Sequence, residues 1–380
     1  MLKGIKIRLY PNVAQEDLIN NLLGSYRFVY NQALSFKIDT YKFIKESTNI
    51  KHTSDLFHNY LRPHYDFLQE QNTKVIKQGL KDLEQAYSNF FKQGNGFPKF
   101  KSRKDVQKCR FPSEAVASDT FKNNKLNLTK SIKEIKFECS ERDRNYLQIN
   151  KDKIKSVTLT KTKTGNYFAS ILIDGELLRE RPVPINKSIG IDLGIKSLLT
   201  LSNGESIDNP KWIRSNEKVL KKLHKQLSRK VKGSNNRNKS KNKLAKKHEQ
   251  IKNQKTDFLH NITSKIVNEN QIIILEDLNV SGMLKNHKLA KSIQELGLYE
   301  MRRQIEYKSK WFGRDVVFIG RWFSSSKMCS CCGWINKNLT LADREFNCQE
   351  CGLVIDRDEN AAINIEREGI RILKDKATFA

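Results

Sequence analysis

The sequence predicts a multidomain protein, α/β plus all-β, and three observations carry the prediction. Segments with strict apolar alternation flank a long block of helical spacing, so strands and a helical module share the first half. In the second half, the run Ile272-Ile273-Ile274-Leu275 suits a strand buried on both faces of a mixed sheet. Two Cys-x-x-Cys pairs near the end add a small unit built on thiolates. A length of 380 residues fits two or three domains, and 38% hydrophobic residues suffice for real cores.

The elements follow in order. From Lys3 to Tyr10, Ile5, Ile7 and Leu9 alternate with Lys6 and Arg8, which makes one half-buried strand stopped by Pro11-Asn12. From Ala14 to Phe91 the spacing turns helical, as in Leu18, Leu22 and Leu23, then Leu80, Leu83, Tyr87, Phe90 and Phe91. Gly94-Asn95-Gly96 ends this helical insertion. Residues 97–180 return to β patterning: Lys125 to Thr129 and Val157 to Thr160 alternate, and Thr164-Gly165-Asn166 makes a hairpin turn before Tyr167 to Ile173. These segments predict a small antiparallel barrel or sandwich to which the first strand returns. Arg181-Pro182-Val183-Pro184 is a stiff linker and a domain boundary. Beyond it lie strands at Ile189 to Gly194 and Leu198 to Leu201, a third short strand after Asn203-Gly204, and a fourth at Gln271 to Glu276. Helical stretches at about 291–312 and 358–370 cover that sheet, giving an α/β domain.

Charge narrows the partner. Seventy Lys and Arg against 42 Asp and Glu leave +28, a surface that repels itself unless a polyanion binds, and nucleic acid is the commonest polyanion. The excess concentrates between Lys211 and Lys255, where 17 basic residues face only Glu217 and Glu249. Leu220, Leu223, Leu227, Leu244 and Ile251 keep a thin apolar stripe there, with Gly233-Ser234-Asn235-Asn236 between, which reads as two helices and a loop. A nearly single-signed face gains little from internal ion pairs and much from phosphates. No apolar run reaches about 18 residues, which excludes a membrane span. The start, Met1 to Asn12, has no apolar signal core, so the expected location is cytoplasmic. Seven cysteines without such a signal belong to a reducing compartment, where thiols bind metal more often than they pair. Seven Pro and 18 Gly argue against a low-complexity chain.

Cys329 and Cys332 form one knuckle, and Cys348 and Cys351, after 15 intervening residues, form a second. Each is followed by glycine, Gly333 or Gly352, which lets backbone amides approach sulfur. Each turn aims two thiolates at a point about 2.3 Å away, and four leave no place for water, so the site predicted is one structural zinc. Cys331 has poor knuckle geometry and stays unligated; Cys109 and Cys139 are small apolar residues.

Three acids stand out. Asp192 lies within an apolar strand, where an unpaired carboxylate is costly. Glu276 ends the most apolar strand, and Asp358 begins a helix. Singly, they read as a lysine partner, a strand-end acid and a helix cap. Jointly, two acids on core strands and one at a helix start are what a ribonuclease-H-like sheet uses to converge carboxylates on magnesium, a hard ion that keeps waters and takes ligands from phosphate. Two such ions about 3.5–4 Å apart activate water and stabilise the leaving 3′ oxygen of a phosphodiester. Glu276 and Asp277 point to opposite faces, so only one enters the site. Spacing alone does not decide between Asp356 and Asp358.

Taken together, Gly190-Ile-Asp192-Leu-Gly194, Leu275-Glu276-Asp-Leu278, Ser325-Ser-Lys-Met-Cys329-Ser-x-Cys332-Gly333, Cys348-x-x-Cys351-Gly352 and Asp356-Arg-Asp358-x-Asn-Ala-Ala362 resemble the TnpB family. These are transposon-encoded RNA-guided nucleases related to type V CRISPR effectors. Arg8 to Asn12, Gly96 to Lys101 and Asn253 to His260 are similar as well, so the resemblance spans essentially the whole chain. It implies a wedge strand at 1–12, a helical recognition domain at 13–93 and an oligonucleotide-binding-like wedge barrel at 94–184. It further implies a RuvC nuclease domain at 185–325 and 354–380, with the basic hairpin at 211–255, and a zinc-binding target-nucleic-acid-binding insert at 326–353. The implied catalytic and magnesium-binding acids are Asp192, Glu276 and Asp358, with zinc on Cys329, Cys332, Cys348 and Cys351. Arg344 matches an arginine set close to the scissile strand, and Tyr26, Phe28, Tyr30 and Asn31 are candidates for contacting the adjacent motif and heteroduplex. The implied partners are a guide RNA from a transposon end and double-stranded target DNA, in a monomeric ribonucleoprotein of the prokaryotic cytoplasm that joins the nucleoid on target. The rival readings are a transposase acting on DNA ends, a nuclease-inactive RNA-guided repressor, and a basic zinc-ribbon RNA-binding protein.

Overall fold

A computed structural model of the chain describes residues 2–116, 120–122, 125–175, 183–184, 187–194, 197–286, 290–340 and 342–378. The chain divides into two compact units, Met1–Glu176 and Leu177–Ala380. Arg181 and Pro182 of the predicted linker lie outside the described residues.

In the first unit, strand β1 (Leu2–Tyr10) buries Ile5, Ile7 and Leu9, as its alternation predicts. Asn12 then starts helix α1 (Val13–Ile44) through a capping box with Gln15, each side chain accepting from the other's backbone N–H at 2.9 Å. Short helical turns, one of them π-helical over Leu56–Leu61, lead to α2 (Gln78–Gln93), which packs on α1 and ends at Gly94 in the left-handed region. Strands β2 (Gln107–Pro112), β3 (Phe121–Lys122), β4 (Lys125–Leu126), β5 (Ile135–Glu138), β6 (Ile154–Lys161) and β7 (Tyr167–Asp174) complete an antiparallel seven-stranded sheet. Its order is β2-β6-β7-β1-β5-β4-β3, so the first strand does return, to the centre. Among the described residues the ladder is open, as in the partly open barrels that bind oligonucleotides. Helix α3 (Glu141–Ile149), capped by Ser140, was not predicted: it buries only Tyr146 and Leu147, too little for a visible period.

The second unit is built on a five-stranded mixed sheet, order β10-β9-β8-β11-β12. Strands β8 (Ser188–Asp192), β11 (Ile272–Glu276) and β12 (Asp315–Ile319) run parallel, while β9 (Ser197–Leu201) and β10 (Ser206–Asp208) return antiparallel. The basic stretch folds as α4 (Glu217–Ser228) and α5 (Asn235–Glu269), the second running well past the predicted end. Helix α6 (Leu298–Phe312) follows a short helix, Ala290–Leu296; the stretch predicted as one is broken by Gly297 at φ 72°. A small hairpin, β13 (Glu345–Asn347) with β14 (Val354–Asp356), feeds α7 (Arg357–Thr378).

The period of two sorts the sheet into faces. Ile189, Ile191, Ile273 and Leu275 pack with Leu259, Ile266, Met301 and Ile305 of α5 and α6. Ile274, Val317 and Ile319 pack with Ile365 of α7 on the other face. Gly190 makes that second contact possible: a Cβ there would overlap the Ala362 carbonyl and lie 2.7 Å from the Glu366 nitrogen. Gly369 does the same against Ile274. Two missing side chains therefore bring α7 down onto the sheet.

Candidate active site and metal centre

Alternation decides where the acids point. Asp192 lies two residues beyond Gly190, and Glu276 two beyond Ile274, so both side chains rise on the face that α7 covers. β8 and β11 are parallel neighbours, Ile191 opposite Leu275, so the two acids stand side by side at the C-terminal ends of adjacent strands. Asp358 stands at the start of α7 on the same face. The carboxyl of Asp192 registers this company: desolvation, then the negative charges of Glu276 and Asp358, raise its pKa to about 7.

The neighbouring acids are otherwise engaged. Asp277 points to the opposite face, to Arg302 on α6 (2.8 Å) and to Arg321 (3.2 Å). The hydrogen bond from Arg302 leads the causes that hold its carboxyl below the usual range. Asp356 caps α7, its Oδ1 accepting from the N–H groups of Asp358 (2.8 Å) and Glu359 (3.2 Å). The cap reading given to Asp358 therefore belongs to Asp356. Glu276 accepts from the Ser325 hydroxyl at 2.6 Å, and Asp358 pairs with Arg357 at 3.0 Å. Among the described residues, the four cysteines are the one group of three or more His, Cys, Asp or Glu whose ligand atoms all lie within 4.8 Å of one another, so the three acids do not form a closed single-ion cage. Three carboxylates gathered where adjacent strands end are hard oxygen donors, the ligand type that a hard divalent cation takes.

The four cysteines meet as predicted. Sγ of Cys329 lies 3.6 Å from that of Cys351, and Sγ of Cys332 lies 3.5 Å from that of Cys348. Those separations are close to the edge of a tetrahedron whose corners stand about 2.3 Å from a zinc ion. The two knuckles repeat one pattern: Gly333 N–H bonds the Cys329 carbonyl at 3.0 Å, and Gly352 N–H the Cys348 carbonyl at 3.1 Å. Both glycines have positive φ, at 81° and 73°. Desolvation opposes ionisation of Cys348, but the backbone amides of Cys351 and Glu350, together with hydrogen bonds to the Cys332 and Cys351 thiols, outweigh it and lower the pKa of the thiol. Cys331 is exposed and outside the cluster, while Cys109 is buried in the first unit.

Two residues that the sequence reading passed over tie this centre to the acids. Asn360 and Asn364, one turn apart on α7, are almost wholly buried. Asn360 accepts from Ser330 N–H (2.9 Å) and donates to the Met328 carbonyl (2.7 Å), while Asn364 donates to the carbonyls of Ser325 (2.8 Å) and Met328 (2.6 Å). The signal was present as two amides at helical spacing on the apolar face of Ala361, Ala362 and Ile365. Arg344 is exposed, and its carbonyl accepts from Arg357 N–H at 2.8 Å, next to Asp358.

The aromatic candidates in α1 are not an exposed contact surface. Tyr26 and Tyr30 are buried, Lys101 sits over the Tyr30 ring at 3.8 Å, and Phe28 packs edge-on against Tyr65 and Phe67. Asn31 makes a reciprocal pair with the backbone of Lys101, at 2.8 and 3.0 Å. Tyr26 and Tyr30 thus belong to the core, while half-buried Phe28 and Asn31 hold neighbouring segments against the helix.

No described helix is long and apolar enough to cross a membrane. Comparison with known proteins gives three family-model matches. One, described as "Probable transposase", covers residues 157–287, and one for the TNB domain of Cas12f1-like proteins covers 299–365. A model described as a helix-turn-helix domain covers residues 1–45, which fold here as β1 and α1. A Streptomyces pristinaespiralis protein, provisionally named RNA-guided DNA endonuclease, is 36% identical over 97% of this chain and 89% of its own. InsQ of Escherichia coli K12, under the same provisional name, is 33% identical over 98% of this chain and 93% of its own. In fold, the chain resembles Cas12f1 as solved with its guide RNA and target DNA, with a TM-score of 0.56, 16% identity, and 96% of this chain and 98% of that one covered.

Proposed function

The chain belongs to the TnpB family, and from that premise we propose that it is an RNA-guided DNA endonuclease. Pairing between a guide RNA derived from a transposon end and one target strand selects the site, while the protein reads a short adjacent motif and the backbone. In this reading the wedge is 1–12 with 94–184 and the recognition helices are 13–93; the nuclease domain is 185–325 with 354–380, and the zinc insert 326–353. The observation that carries the reading is geometric: Asp192 and Glu276 end adjacent parallel strands on the face that α7 covers, and Asp358 stands at the start of that helix, close enough for its charge and that of Glu276 to add to desolvation in raising the pKa of the Asp192 carboxyl. A bound cation is what relieves such repulsion among carboxylates.

Asp192, Glu276 and Asp358 would hold magnesium, two ions by this reading, which supplies an activated water and charge neutralisation at the leaving oxygen. The chain's own groups do the rest. Ser325 orients Glu276, Asp356 fixes the first turn of α7, and the glycines of the sheet-helix contact set the spacing of Asp358 from the strands. Arg344 offers an exposed guanidinium near the head of α7 that can grip a phosphate by two parallel hydrogen bonds. Zinc on Cys329, Cys332, Cys348 and Cys351 holds the insert folded. The particle is a monomeric ribonucleoprotein of the cytoplasm, on the nucleoid when engaged.

The test is to purify the protein with its native flanking locus, sequence the RNA that accompanies it, and assay plasmid cutting by wild type and Asp192→Ala. One dominant structured RNA is expected, with cutting lost and target binding kept in the variant. Heterogeneous RNA, or full cutting by Asp192→Ala, overturns the reading. Joining of donor ends without RNA would instead make the protein a transposase, and target binding without magnesium-dependent cutting by wild type would make it a repressor.

A further inference from the structure

The segment from Gly320 to Ser325 leaves β12 at the strand ends where the acids stand, since Ile319 is paired with Glu276 across the ladder. It is fastened at both ends. Arg321 bonds the Asp277 carbonyl (3.1 Å) and its carboxylate (3.2 Å). The Ser325 hydroxyl bonds Glu276 (2.6 Å), and the Ser325 carbonyl accepts from Asn364 (2.8 Å). Between these anchors, Phe323 packs inward against the cluster of Ile274, Val317, Ile319 and Ile365.

Trp322 does the opposite: it is 91% exposed. The chain's other tryptophans are engaged, Trp212 against Phe258, Trp311 against Tyr307 and Trp334 in the small core of the zinc unit. An indole is the largest apolar surface a side chain offers, and leaving one in water on a fastened loop stabilises nothing in the fold. The loop is short as well: Trp322 lies three positions before Ser325, which limits their Cα separation to about 11 Å.

We propose that Trp322 is a stacking platform for an unpaired base of the strand being cut, holding that strand over Asp192 and Glu276. The inference rests on the nuclease reading above. Stacking suits this task because every base has a π-face, so a ring grips any sequence equally. An enzyme guided to its target by base pairing needs that indifference at the cutting site. The pre-fixed loop lowers the cost, because little freedom remains to be lost when the base arrives.

Two readouts test it on the purified ribonucleoprotein. In an Asp192→Ala background, dye-labelled single-stranded oligothymidylate is titrated with the particle while the dye's fluorescence anisotropy is followed. Trp322→Ala should weaken binding about 5- to 150-fold, the range for one lost base stack, and Trp322→Phe should recover most of it. With the acids intact, Trp322→Ala should slow plasmid cutting by a similar factor while guide-directed duplex binding stays unchanged. Unchanged oligothymidylate affinity in Trp322→Ala overturns the proposal, and so does an unchanged cutting rate. If Trp322→Ala instead alters the particle's mass and leaves oligothymidylate binding alone, the indole is a protein contact and the proposal fails. Failure of the nuclease reading is told apart by its own signature, cutting that survives Asp192→Ala, whereas the binding readout depends on no cutting.

Discussion

Side chain by side chain, the centre separates acids by what already occupies them. Glu276 and Asp277 are consecutive, and their opposite directions were legible from strand alternation alone. Their partners were not, because Arg302, Arg321 and Ser325 come from distant positions. Ser325→Ala should release Glu276 and slow cutting about tenfold, with target affinity unchanged, since a hydrogen bond to a carboxylate is worth about 1.5–3 kcal/mol. Asp277 gives a pH-dependent prediction. Its carboxyl is held below its ordinary value chiefly by Arg302, so its contribution is fully present above about pH 4 and is lost as pH falls through the lowered value. The pair is half exposed and worth at most about 1 kcal/mol. Accordingly, Asp277→Asn should lower thermal stability slightly at pH 7, and the difference should shrink as pH falls below about 4, read by paired melting curves. A difference that does not shrink with falling pH would contradict the assignment.

Single elements explain how the acids are held. Helix α7 carries Asp358 at its head, seats Ala361 and Ala362 against the sheet, and clamps the first zinc knuckle through Asn360 and Asn364. Gly190→Ala would drive a methyl into the backbone of that helix, which cannot yield as a flexible side chain could. The cost should be about 1–3 kcal/mol in unfolding, with cutting reduced more than target binding. Cys348→Ser should lose the metal, measured by mass spectrometry, and loosen residues 326–353, because structural zinc contributes folding energy directly. Strands with clean alternation, the basic hairpin and both knuckles were legible in the sequence, since each is a local pattern. The strand Asp315–Ile319 was missed because a short apolar run just after a helix carries no period of its own. The kink at Gly297 was missed for a different reason: apolar spacing continues through it while only the backbone turns.

For the molecule as a whole, charge sets the terms. A net +28 spread over the surface, with Lys241, Lys243 and Lys246 exposed on α5, predicts RNA binding that weakens steeply with salt. Replacing those three lysines by glutamine should lower the slope of log K against log salt by about two to three, roughly one for each phosphate no longer neutralised, and leave the melting temperature unchanged. A flat salt response would remove the polyanion from the account. The central claim is more specific than charge: acids brought together by two parallel strands and one closely packed helix cut DNA. The comparison that tests it most directly sets Asp358→Ala beside Asp356→Ala in guide-directed plasmid cutting, with target binding measured in parallel. The account predicts that Asp358→Ala binds but does not cut, whereas Asp356→Ala loses about 1 kcal/mol of helix capping and still cuts. Cutting at the wild-type rate by Asp358→Ala would contradict it.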